Sequence, residues 1–554
     1  MNYNEFMKTI DKKLSAMSEQ EKTIWIRNMA RTTREHKRIE FLDSLDEKQK
    51  YSQIVYEKDG IEEWCEKIED GEIYFECKGY EVYGENYWDN DYEYDYYDIF
   101  QINENLSKAY DVAKSLLFQK EYNEALLLYN RLLDLQFFVI DRDIEEYNEM
   151  ELGDIISEGL ITLDFREIVL NLMYAIYQTA DGRDRTAELY GYLTWGMCKN
   201  IKIEEIFIIG PEELKDIDSF MEEWISFLKD TDGDKAGELL LEACLYQGDI
   251  NLLCKIAREK SLKHPVLYKY ACEYLLNESK VSECEKLGLE AIEVLPENLT
   301  IRGEIADLTA KVAMQSKNFD IVNRCYEAAF YSKSTLNNYL RLFELPDYEN
   351  ITKEAAKYTK TLPEDSMWEF RNKNKQMAVN ILSKSHKDII SFFNGEFDYI
   401  YNNCIKDKSM LGWSSGFKGI AVPLFILLLN KDNKITIAGE KLINEIIYRL
   451  GFAENGVESF LDKFLNWKGK INLTREQYEK YILWLKEEVD ERTEAVVGGG
   501  YRKSYYKAAM LIAALGETLE SDGMSNGRMV MIEHYKKAHS RKRAFKAEFE
   551  LLND

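Results

Sequence analysis

LLFQKEYNEALLLYNRLLDL, residues 116–135, decides how the rest of the chain reads. A helix end and a short polar turn lead into Tyr122, Ala125, Tyr129 and Leu132, spaced by three, four and three. Those offsets place four side chains on one face of an α-helix. The same offsets return at Val281, Cys284, Gly288 and Ala291, and at Phe319, Val322, Tyr326 and Ala329. The first two offsets occur once more at Ile250, Leu253 and Ala257. Pro265 and Pro296 stand 15 positions after Ile250 and Val281, where a residue that cannot continue a helix closes each pair. The intervals between these starts are 31 and 38 residues. The predicted fold class is all-α, an antiparallel helix-pair solenoid.

These segments resemble the second helix of tetratricopeptide repeats, which carry aromatic and small residues at these offsets and a proline at the repeat end. The resemblance implies helix pairs that approach closely at the small residue, and a concave surface that recognises proteins or peptides. The chain departs from the family in three ways. The first-helix Trp-Leu-Gly-Tyr signature is missing, the intervals stray from the family's 34 residues, and residues 139–235 show no clear register. The tail, YYKAAMLIAALGE and RMVMIEHYKKAHSRKRAFKAEFELL, resembles the C-terminal helices of uncharacterised bacterial helical-repeat proteins, some of which carry a SWIM-type zinc finger. The finger's Cys-x-Cys and Cys-x-His pairs are absent here, so no zinc role carries over.

Composition points the same way. Only 6 prolines occur in 554 residues, none before Pro211, which permits long helices. A net charge of −28 disfavours bulk nucleic-acid binding. The 9 cysteines, an odd number at scattered apolar positions, fit reduced thiols in a cytoplasmic protein. Residues 1–14 lack the apolar core of a signal peptide. The most hydrophobic run, 419–429, is about half the ~20 residues a bilayer span needs. It predicts a buried helix, and no membrane anchor is expected.

Five segments are expected along the chain. Residues 1–58 form a helical unit, with a capping box from Ser18 to Glu21 ahead of Ile24, Trp25 and Met29. Residues 59–103 form an acidic, Tyr-rich insertion. It holds at most one short β-hairpin near 72–83 (EIYFECKGYEVY), followed by a strip at 85–98 that reads as solvated or as a docking strip for a basic partner. Residues 104–345 are tetratricopeptide-like repeats. Residues 346–497 are irregular helical repeats, with helices at 367–393, 419–429, 436–450 and 475–488. Residues 498–554 are a C-terminal helical pair behind Gly498-Gly499-Gly500.

Candidate chemistry is thin. Gly412-Trp413-Ser414-Ser415-Gly416 matches the nucleophile elbow of α/β-hydrolases, but the charged residues before it are no buried strand, and a glycine-rich loop before helix 419–429 is expected instead. Gly498–Ser504 lacks the glycine a phosphate loop needs before its lysine, since Arg502 stands there. Asp230-Thr231-Asp232-Gly233-Asp234 lacks the sixth-position glycine and twelfth-position glutamate of a calcium loop, and predicts a turn capping helix 236–246. His36, His264, His386, His534 and His539 include no metal-ligand spacing. No metal or cofactor is expected.

One basic island stands in this acidic chain: KKAHSRKRAFK at 536–546. With Arg528, its Lys536, Lys537, Arg541, Lys542, Arg543 and Lys546 are the candidate partner-binding residues. The expected function is a non-enzymatic protein-binding scaffold or adaptor in a bacterial multiprotein system, its partners one or more proteins. The alternatives are a nucleic-acid-associated subunit using the basic helix, a passive target of a partner protease or kinase, and a serine hydrolase centred on Ser414.

Overall fold

A computed structural model describes residues 3–34, 37–39, 41–42, 58–82, 91–141, 147–198, 200–248, 250–364, 374–408, 416–432, 435–452 and 456–552. The chain divides into two compact units, Met1–Ile256 and Ala257–Asp554.

The first unit opens with α1 (Tyr3–Ser15) and α2 (Glu19–Thr32). The predicted capping box at α2 is present, with the Ser18 hydroxyl accepting from the Glu21 N–H while Glu21 takes the Ser18 N–H. Next come α3 (Lys58–Glu69), β1 (Phe75–Val82), β2 (Asp91–Tyr97), α4 (Ile102–Phe118), α5 (Tyr122–Leu133), β3 (Gln136–Asp141) and β4 (Tyr147–Glu151). In α5 the quoted stripe faces inward, with Ala125, Tyr129 and Leu132 at most 1% exposed.

The helical class holds, but the sheet exceeds the single hairpin expected at 72–83. Four strands lie in the order β2-β1-β3-β4; β1 runs antiparallel to β2 and parallel to β3, and β3 runs antiparallel to β4. The expected turn at Lys78-Gly79 is not formed, since β1 runs straight through it and pairs with β2; β2, β3 and β4 all lie beyond 72–83, and in β3, QFFVID, Phe137, Val139 and Asp141 alternate into the core. Its strict alternation of buried and open side chains is the mark of a half-buried strand. Phe137 packs near Phe75 of β1, and both are fully buried.

Residues 139–235, which lacked a register, hold α6 (Leu152–Ser157), α7 (Phe165–Thr179), α8 (Gly182–Thr194) and α9 (Ile217–Asp230). Every residue of α7 from Ile168 to Tyr177 is buried. An apolar helix covered on all sides has no stripe to read, which is why periodicity missed it. Gly233 then precedes α10 (Asp234–Tyr246), as the turn reading expected.

After α11 (Ile250–Glu259), the second unit begins with α12 (Val266–Asn277), α13 (Val281–Val294), α14 (Thr300–Gln315), α15 (Phe319–Ser332), α16 (Leu336–Arg341) and α17 (Tyr348–Thr361). Helix α14 packs on α12, α13 and α15, so each pair touches the next. Pro265 stands immediately ahead of α12, and Pro296 follows α13. Cross-repeat ion pairs mark the register. Arg258 meets Glu290 at 2.8 Å, Glu293 meets Arg324 at 2.6 Å, Lys269 meets Glu304 at 2.9 Å, and Asp307 meets Arg341 at 2.6 Å. Their sequence separations are 32, 31, 35 and 34 residues, one helix pair each. Such half-exposed pairs each contribute little stability. Packing holds the stack together.

The expected single helix at 367–393 is not formed. Residues 365–373 lie outside the described part. Beyond them an extended strap gives the Asn380 N–H to the Asn298 carbonyl and accepts the Thr300 N–H at Ala378. Ser383 then caps a fresh helix, α18 (Lys384–Phe393), by accepting from the His386 N–H. The strap spends its backbone groups on the start of α14, so helix cannot continue through it.

The unit continues with α19 (Phe397–Lys406), α20 (Lys418–Leu429), α21 (Ile437–Ile446), α22 (Gly456–Lys468), α23 (Arg475–Thr493), α24 (Tyr505–Ser521), α25 (Gly527–Ala538) and α26 (Arg543–Glu548). All residues of α20 are buried, and it packs on α19, α21, α23 and α24. The residues 498–500 make a tight turn, with Gly500 at φ +82°, that folds α24 back on α23. The C-terminal pair is present as α24 and α25, with its second helix interrupted at 539–542.

Gly288 carries the sharpest packing test. A methyl group there would lie 3.0 Å from the Cβ and Cγ2 of Thr309 and closer still to its hydroxyl. Thr309 is fully buried, so α13 and α14 would have to part. Gly288→Ala should lose about 1–3 kcal/mol by chemical denaturation. Gly191→Ala, where a methyl meets nothing within 4 Å, should gain about 0.5–1 kcal/mol from helix propensity. If Gly288→Ala proved stabilising, the close approach would be absent.

Candidate functional site

The basic island separates into two sets. Arg528, at the start of α25, is used internally. Its N–H donates to Glu520 at 3.1 Å, its Nε lies 3.2 Å from Glu517, and its guanidinium donates to the Leu552 carbonyl. Lys536 is half-buried, 3.5 Å from Glu533 and over the Phe549 ring. Lys542 and Lys546 are half-buried, and His539 sits 4.0 Å from Glu494. Lys537, Arg541 and Arg543 remain exposed, with no ion pair among the described residues. All three cluster where α25 ends, so part of their charge complements the helix's negative end. Tyr535, Phe545 and Phe549, of the same C-terminal segment, are buried.

Ser414 and its neighbours 412–415 lie outside the described residues. Gly416 is described, and its carbonyl accepts from Arg449 at 2.7 Å. His534 is exposed on α25 with its ring against Tyr535. The tail of the calcium-like sequence enters α10, and among the described residues no cluster of three or more His, Cys, Asp or Glu could hold a metal. Among them, too, no helix is long and apolar enough to cross a membrane.

A charged centre the sequence did not reveal lies at the head of α20. Lys418, whose side chain is 1% exposed, meets Glu488 of α23 at 3.0 Å and donates to the Asp407 carbonyl at 2.5 Å. Trp484 donates to the same Glu488 oxygen at 3.0 Å, while the other oxygen has no hydrogen-bond partner among the described residues. A cavity of about 470 Å³ opens beside it, lined among others by Asp388, Tyr399, Cys404, Lys418 and Arg449. Burial raises the Asp388 carboxyl, which accepts from the Tyr399 hydroxyl at 3.0 Å. Burial also pushes the Cys404 thiol up to about 12, which favours the protonated thiol at neutral pH. Lys418 is held by Glu488 and a backbone carbonyl, and Arg449 donates to the Gly416 carbonyl at 2.7 Å.

In the first unit, Glu242 is the titratable group set furthest into the neutral range. Its carboxylate accepts from the Ile203 N–H at 2.8 Å, and burial pushes it up to about 7, helped by Glu204 and opposed by Lys202 and Lys235.

No family model matches the chain, and no curated protein matches it. A chain of the crystal structure of the APC/C hetero-tetramer Cut9-Hcn1 is similar to it at 11% identity and a TM-score of 0.18, over 81% of this chain and 76% of that one. At that TM-score the likeness carries neither fold nor function across.

Two measurements check these charges. Lys418→Met should cost about 3–5 kcal/mol, because it strands a buried carboxylate, whereas Lys418→Met with Glu488→Leu should recover most of the loss. Equal losses in the single and double variants would remove the pair from the account. For Glu242, the folded chain keeps a proton that the unfolded chain releases above its ordinary 4.5. Stability therefore falls as pH rises through the window from 4.5 to about 7. Glu242→Gln keeps an oxygen for Ile203 and should gain stability relative to wild type between pH 5 and pH 8; a constant difference would show that Glu242 titrates normally.

Proposed function

We propose that this chain is a non-enzymatic protein-binding scaffold or adaptor of a bacterial multiprotein system, working in the cytoplasm. Its helix pairs are read as degenerate tetratricopeptide-like repeats, and recognition of protein surfaces is the usual work of such stacked helices. One observation carries the reading: Lys537, Arg541 and Arg543 stand exposed, with no ion pair among the described residues, in a chain of net charge −28. A cluster that escapes the molecule's own abundant carboxylates suits a partner presenting acidic groups in a fixed arrangement. The buried polar groups of α20 and α23 serve packing, which supports binding without turnover.

A nucleic-acid partner is the second reading, favoured by Lys542 and Lys546 extending the same cluster along α26 and opposed by the charge of the whole chain. One experiment addresses both. Affinity capture from the native host compares wild type with Lys537→Glu/Arg541→Glu/Arg543→Glu, with and without nuclease. The scaffold reading expects a stoichiometric acidic protein that survives nuclease and falls at least about tenfold in the triple variant. Capture unchanged by the triple variant contradicts a role for this surface, and loss on nuclease treatment favours the second reading.

A further inference from the structure

In the first unit, helix α2 and strand β2 present exposed surfaces of opposite charge. No residue of α2 is buried, and Ile24 is 59% exposed. Ile24, Arg27 and Arg31 fall at i, i+3 and i+7, one face of the helix. Arg27 and Arg31 are exposed, with no ion pair among the described residues. Among the described strands β2 is the edge of the sheet, paired with β1. Its inward side goes with buried Cys77, which pairs with Tyr96, so Glu93, Asp95 and Tyr97 point outward with Lys78 and Tyr80 of β1. Glu93, Asp95 and Tyr97 are exposed, and β2 contains no basic residue.

The spacings match. Arg27 and Arg31 are separated by about 6 Å along a helix rising 1.5 Å per residue. Glu93 and Asp95 are separated by about 6.7 Å along a strand. Run antiparallel, the helix sets Ile24 against Tyr97, Arg27 against Asp95 and Arg31 against Glu93. On that face Lys78 lies beside Asp95 and Glu76 beside Tyr97, and the Tyr80 hydroxyl donates to Glu93 at 3.2 Å.

We propose that a second copy of this chain occupies each surface, with α2 of one copy laid across the outward face of β2 in the other and the exchange made reciprocally. The partner is chosen by charge. Residues 19–34 hold Lys22, Arg27, Arg31 and Arg34 against Glu19 and Glu21, whereas β2 holds Asp91, Glu93 and Asp95 with no cation. Two exposed faces of opposite sign on one unit find each other in every pair of molecules. An uncovered acidic edge strand also invites pairing, and a helix laid beside it blocks open-ended strand addition. Self-association of this kind goes beyond the scaffold reading and stands or falls apart from it.

Sedimentation velocity of the full chain over a micromolar concentration series, at low and high salt, tests the proposal. The expected result is a dimer at low salt that dissociates as salt screens the pairs. Arg27→Glu/Arg31→Glu and Glu93→Arg/Asp95→Arg should each weaken dimerisation at least about tenfold. Combining all four substitutions restores opposite charges and should restore the dimer. Circular dichroism confirms that the exposed substitutions leave the fold intact. A chain monomeric at low salt throughout, a dimer indifferent to both charge reversals, or a combined variant that stays monomeric overturns it. A monomer with undiminished capture through Lys537, Arg541 and Arg543 would sink this inference alone.

Discussion

Where α13 crosses α14, backbone lies against a buried threonine side chain, and the stacking of the second unit's repeats depends on that contact. Gly288 offers no Cβ, so Thr309 sits directly against its helix. Gly303 repeats the arrangement one face away, where a methyl would lie 3.2 Å from the Ala329 carbonyl. Helix α14 is thereby held close on both sides. The C-terminal helices use the same device, because a methyl at Gly516 would stand 2.7 Å from the Arg528 Cα. Close approach lets short apolar side chains such as Ala291, Ala306 and Ala329 fill the interface, and all three are fully buried.

Tight packing of this kind leaves long side chains for the outside, and their charges fall into rows one repeat apart. It also explains why polar groups that do enter the core are answered locally. Lys418 cannot reach water from the head of a helix buried all round, so Glu488 and the Asp407 carbonyl neutralise it. Trp467 donates to the Phe393 carbonyl at 2.7 Å for the same reason, deep in a cluster of aromatic rings.

The sequence revealed the helix pairs because each buries one stripe and marks its end. Cys284, Gly288 and Ala291 are buried as their offsets require, and Pro265 and Pro296 stand at pair boundaries. Phe319 shows the limit of the motif, since it occupies the first position of its stripe and is 61% exposed. Helix α7 was hidden by burial on every side, and strand QFFVID by its length, too short beside a strong helical pattern. The strap after residue 373 was unreadable because its hydrogen bonds go to Asn298 and Thr300, remote in sequence. Of the candidate partner residues, composition found the basic island but not its division. That Arg528 is spent on the Leu552 carbonyl, whereas Arg541 and Arg543 have no ion pair among the described residues, depends on where the chain turns after Ala538.

In the second unit, helices one repeat apart lie side by side. Asp307 and Arg341 measure it most directly, being 34 residues apart in sequence and 2.6 Å apart in space, with Arg341 also over the Tyr326 ring. A double-mutant cycle with Asp307→Ala and Arg341→Ala, read by denaturant unfolding, should give a coupling of about 1 kcal/mol. Strictly additive losses would place α14 and α16 out of contact and contradict the stack.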